Sequence, residues 1–219
     1  MKRILILLGS YAFAMALLEA AVVVYMRRLY YPDNPLELFP LHFLNDYDPL
    51  LEISREAATI IMILTVALLA ERRSLTRSFA AFVFVFGVWD LFYYVWLKVL
   101  IDWPQRWLEW DVLFLIPSVW LGPWIGPAAI AILFAIWGSW TLLSQRETTF
   151  TTNSLTILMS GAGLCLAAFM QPAIANGTET LSSYSPRAFW WWLFIPGYLL
   201  MATAFALTAW TPEAKPLKH

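Results

Sequence analysis

The repetition of long apolar runs limits this chain more than any other feature. A helix needs about 20 apolar residues to cross a hydrocarbon core of about 30 Å. Segments at 4–26, 50–70, 78–101 and 154–175, a fourth within 112–143 and a last at 188–210 reach that length. With no water at such depth, backbone N–H and C=O groups must be satisfied within the segment, and a helix does this. The expected fold is an all-α, polytopic integral membrane bundle of about six transmembrane helices. It forms a single domain over 1–219, with an outer loop at 27–49.

Composition agrees with this reading. Hydrophobic residues make up 61% and charged residues 13%, at a mean hydropathy of +0.66. Soluble domains run at about 45–50% and about 25% respectively. Thirteen Trp suit aromatic belts at two interfaces. The opening MKRILILLGSYAFAMA has the form of a signal peptide, but its apolar run continues to Met26. That exceeds the about 7–15 residues of a secretory core, so an uncleaved first helix is expected.

Charge then excludes and orients. A net charge of −1 gives no bulk basic field for nucleic acid. With six spans both termini share a side, which carries eight Lys and Arg against six on the other. By the positive-inside rule the termini are cytoplasmic, in a bacterial inner membrane. The acidic residues are more lopsided: only Glu71, Glu147 and Glu213 of fifteen fall on the terminal side. The single cysteine, Cys165, excludes an intrachain disulfide and any CxxC motif, and reads as a small packing residue.

One segment does not read as a plain helix. PSVWLGPWIGP sets Pro117, Pro123 and Pro127 beside Gly122 and Gly126. Proline removes a backbone donor and clashes with the preceding turn, so a straight helix through 112–127 is unfavourable. Two forms are open: a short re-entrant or interfacial piece followed by a span at 127–143, or one long kinked helix.

The intramembrane charges mark the candidate site. In GVWDLFYYVWLKVLIDWP, Asp90 lies roughly 16 Å below the outer end of its helix and Lys98 lies nearer the surface. A charge at the helix centre costs about 2.5–3.5 kcal/mol, so Asp90 should face the bundle interior and have a partner. Tyr94 shares its face at i+4 and could bridge towards Lys98. In LEISREAAT, Glu52 and Glu56 share a face beside Arg55, while Glu19 sits roughly 10 Å down the first helix and Asp111 opens the broken segment. These residues either form one acidic pocket with Arg55 or Lys98 as counter-charge, or separate local ion pairs.

The chemistry available is bounded by what is missing. There is no HExxH, GxSxG or phosphate-cradling loop. His42 with Asp46 and Asp48 offers a weak metal set, though a loop histidine beside aspartates is more often solvated. No cofactor is implied. The expected partners are the bilayer, a lipid-soluble ligand and other membrane subunits. Three readings remain. One is an outward-facing carboxylate-lined pocket that binds or converts a small or lipid-soluble ligand. The others are a small transporter or cation path, and a non-catalytic subunit of a membrane complex.

Overall fold

The computed structural model describes residues 2–39, 47–144, 148–175 and 188–209. It is a helical bundle with one small hairpin. The elements run α1 (Lys2–Tyr30), α2 (Asp48–Ala70), α3 (Leu75–Ile101), β1 (Trp110–Phe114), β2 (Trp120–Pro123), α4 (Ile125–Leu143), α5 (Thr152–Ala175) and α6 (Trp191–Ala209). All six helices are long and apolar enough to cross a membrane. α1 continues four residues past its expected end, which brings Arg27 and Arg28 into its last turn.

Glycine sets the closest helix approaches. A Cβ added at Gly87 of α3 would stand 2.4 Å from the Ala131 carbonyl of α4, and one at Gly138 of α4 would stand 2.7 Å from the Ala80 carbonyl. Gly161 and Gly197 bring α5 and α6 together in the same manner. Such close approach lets backbones pack by dispersion where lipid offers no hydrophobic drive. The principal pairings among the described residues are α1 with α3, α2 with α3, α3 with α4 and α5 with α6.

The stretch around PSVWLGPWIGP departs from the all-α expectation. It is not one long kinked helix but an antiparallel hairpin followed by the separate helix α4, with Trp110 opposite Pro123, Asp111 opposite Gly122 and Val112 opposite Leu121. The physical reason lies in the residue types. Pro117 and Pro123 bar a helix, whereas the Trp, Val, Leu and Phe of β1 fit a pleated surface. Pro123 closes the final strand position, where a missing N–H is tolerated. The hairpin also bridges the two halves of the bundle. Trp120 stacks on Phe169 of α5 at 6.5 Å and 3°. Gly122 leaves room for the rings of Phe169 and Phe189, each 3.0 Å from where a Cβ would be.

At the opposite end, which we term the terminal end, ERRSLTR forms a closed polar knot. Ser74 caps α3 by accepting from the Arg77 N–H at 3.2 Å. The Arg77 side chain, 1% exposed, donates Nε to Glu71 at 3.0 Å. Its Nη atoms donate to the carbonyls of Thr141, Leu142 and Ser144 at 3.0, 3.0 and 3.2 Å. These are the orphan carbonyls at the end of α4. Only a planar guanidinium can reach three carbonyls and a carboxylate together. Arg77→Met should therefore lower stability by about 3–5 kcal/mol, as when one partner of a buried pair is removed. Arg77→Lys should recover only part of this. Thermal melts in detergent check it, and an Arg77→Met variant melting with the parent would refute the assignment.

Candidate ligand-binding cavity

A cavity of about 410 Å³ opens between the hairpin and the helices. That volume falls in the range of about 300–1,000 Å³ typical of small-molecule sites. Tyr30, Tyr31, Leu38 and Glu52 line it at the hairpin end of the bundle. From there it descends along one helix face of each element. Glu19, Val23 and Arg27 line it from α1, Glu56 and Thr59 from α2, and Phe86, Asp90 and Tyr94 from α3. These are i, i+4 and i+3 spacings, so each set projects on one side. The opposite wall is apolar: Ile130 and Phe134 of α4, Ala162, Leu166 and Phe169 of α5, and Met201 of α6.

Five carboxylates (Glu19, Glu52, Glu56, Asp90, Asp111) and two guanidinium groups (Arg27, Arg55) share this space. Their pairing is uneven. Arg55 stands between two acids, donating Nη2 and Nε to Glu52 at 2.7 and 3.0 Å and pairing through Nη1 with Glu19. The Thr59 hydroxyl adds a 3.4 Å hydrogen bond to Glu19. Arg27, 2% exposed, pairs with Asp111 of β1 at 3.3 Å, and its guanidinium lies 4.1 Å from the Trp103 ring centroid. Tyr94 lies against the same Asp111. Burial pushes the Asp111 carboxyl above the ordinary aspartate range, while the Arg27 charge draws it back down.

The two remaining acids form no close ion pair among the described residues, although Arg55 lies near enough to Glu56 to act on its charge. Glu56 accepts the backbone N–H of Leu115, at the hairpin tip, at 2.8 Å. Asp90 has one carboxylate oxygen, Oδ2, buried with no hydrogen-bond partner. The indole N–H groups of Trp89 and Trp120 are likewise buried and unpartnered, and both residues line the cavity.

Seven of the eight residues singled out from the sequence thus face one space: Glu19, Glu52, Arg55, Glu56, Asp90, Tyr94 and Asp111. They also form local ion pairs, so the two alternatives posed by the sequence are not exclusive. Lys98 is the exception. It lies outside the cavity, pairing with Asp102 at 2.7 Å and donating to the Pro104 carbonyl at 3.1 Å. A neighbour one turn along its own helix outcompetes the buried Asp90. Of the weak metal set, His42 and Asp46 fall outside the described residues, and Asp48 accepts a hydrogen bond from Tyr30. Among the described residues no three His, Cys, Asp or Glu side chains converge closely enough to hold a metal ion.

Sequence reasoning missed Arg27 and Trp120, whereas Trp89 and Tyr93, on the faces beside Asp90, were open to either packing or lining a pocket and line the cavity. Arg27 was legible in principle: Glu19, Val23, Arg27 and Tyr30 fall on one face once α1 is carried beyond Met26.

Comparison with protein families, curated proteins and solved structures finds no match to this chain. The site is therefore read from its own geometry.

The Arg27–Asp111 pair is fully buried, so its two halves should be strongly coupled. Arg27→Met alone should cost about 3–5 kcal/mol because it strands a buried carboxylate. Arg27→Met with Asp111→Leu should cost less than the sum of the single changes. A double-mutant cycle in detergent measures this, and strict additivity would remove the pair from the account.

Proposed function

We propose that this protein is an integral membrane protein whose hairpin-side cavity binds an amphipathic, lipid-soluble ligand. The ligand's polar head meets the carboxylate wall of α1, α2, α3 and the hairpin. Its apolar body lies against α4, α5 and α6. The exposed leucines and other apolar residues on the helix surfaces, such as Leu18, Leu69, Val99, Met159 and Leu199, suit direct contact with lipid. We place the protein in a bacterial inner membrane with cytoplasmic termini, so that the cavity opens outward and the hairpin re-enters the outer half of the bundle.

One observation carries this reading over a transport path. The cavity residues of each helix run from its hairpin half to about its midpoint: residues 19–30 of α1, 52–59 of α2, 86–94 of α3, 127–134 of α4, 162–169 of α5 and 201 of α6, with Phe86, Ala162 and Met201 lying just past the middle of their helices. The cavity stops at mid-bundle, above the Arg77 knot. A pocket sealed at half depth suits capture or conversion of a ligand, and paired acids in different surroundings can divide acid and base roles.

The test is retention of ligand. Protein purified in mild detergent should carry a lipid-soluble molecule, identified by mass spectrometry of the extracted complex. Ala162→Phe fills the apolar end of the cavity and should abolish that retention while the protein still folds. Identical extracts from parent and variant would contradict the reading.

A further inference from the structure

The charges in this cavity do not balance, and the imbalance names the ligand class. Five carboxylates face two guanidinium groups, and each guanidinium is ion-paired with one or two of them, although Arg27 keeps Nε and Nη1 buried without a hydrogen-bond partner. Arg55 is held between Glu19 and Glu52, and Arg27 is held by Asp111 beneath the Trp103 ring. Glu56 and Asp90 are left to the ligand space, and Asp90 keeps a buried oxygen without a partner. Aromatic rings line the cavity around Asp90: Phe86, Trp89, Tyr93 and Trp120, with Phe134 across from them. A carboxylate among ring faces is the arrangement that stabilises a positively charged nitrogen, by ion pairing and by cation–π attraction.

From this we infer that the ligand's head group is a cationic nitrogen, seated against Asp90 beside Trp89 and Tyr93 of the same helix. The inference rests on the proposed amphiphile site and adds the sign of its charge. An amine completes the electrostatics that the chain leaves open. A neutral alcohol would leave the excess negative charge in place, and an anion would add to it. The same chemistry is offered by a free hydrophobic amine and by a membrane lipid with an amine head. The unpartnered indole N–H groups of Trp89 and Trp120 add donors for an oxygen carried next to that nitrogen.

The experiment is equilibrium binding of radiolabelled dodecylamine to the full chain in phosphatidylglycerol nanodiscs, whose lipid has no nitrogen in its head group, with empty-nanodisc binding subtracted. Competition uses dodecanol and dodecanoate, which share the tail and differ in the head. Saturable amine binding is expected, with both competitors at least tenfold weaker. Asp90→Asn should weaken the amine at least tenfold and leave dodecanol binding unchanged, and Glu56→Gln should shift in the same direction. Lys98→Gln, outside the cavity, should bind as the parent does. Where Asp90→Asn fails to fold, the competition series on the parent decides alone. Dodecanol or dodecanoate competing as well as the amine would overturn the cationic head group while leaving the amphiphile site standing. Absence of saturable binding by all three compounds would remove the site itself. Nanodiscs containing phosphatidylethanolamine separate the sources: displacement of dodecylamine assigns the site to a lipid head, and undiminished binding assigns it to a free amine.

Discussion

The structure depends on lodging a β-hairpin among apolar helices. Extended backbone has no intrinsic right to such a place, because each unsatisfied N–H or C=O away from water costs on the order of a hydrogen bond or more. Here the ladder pairs the strands, and contacts from the helices tie down the tip and the base. Glu56 takes the Leu115 N–H at the tip, and Arg27 takes Asp111 near the base. Trp120 and Gly122 then let the aromatic face of α5 close over the second strand. Without these contacts the α5–α6 pair would meet the remaining helices mainly through sparse contacts with α4, and the cavity would have no inner wall.

The two ends of the bundle use charge differently. At the terminal end the side chains of Glu71 and Arg77 pair with each other and cap the last carbonyls of α4. At the hairpin end some of the charge is structural, in the Arg27–Asp111 and Arg55-centred clusters, and some is left over. The leftover part, Asp90 with Glu56, forms no close ion pair among the described residues, and the proposed ligand site rests on it.

Most of the fold could be read from the sequence because hydropathy over 20 residues is a strong and redundant signal. Serine at position 74 and glycine at 87 and 138 refine the helices without being needed to find them. The hairpin could not be read. Its strands are apolar on both faces, so they lack the two-residue alternation of a half-buried strand and look like continued helix. Asp90 was legible from depth, since a charge in an apolar run must face inward, and Glu56 from the helix face it shares with Glu52. Arg27 required carrying α1 past Met26, because an arginine just beyond a span counts first as an interfacial charge. Lys98 misled for the converse reason: its nearest carboxylate, Asp102, lies after the helix ends, where the apolar pattern gives no warning of it.

Side-specific access to the cavity tests the central claim most directly. In a Cys165→Ser background, Val23→Cys and Leu113→Cys place single thiols on the cavity wall, and Gln105→Cys places one on the exposed loop before the hairpin. A membrane-impermeant thiol reagent is applied to spheroplasts and to inverted vesicles. Both cavity thiols should react only from the side on which Gln105→Cys reacts. Labelling of either from the opposite side, or of neither from any side, would contradict a pocket that opens at the hairpin and closes at mid-bundle.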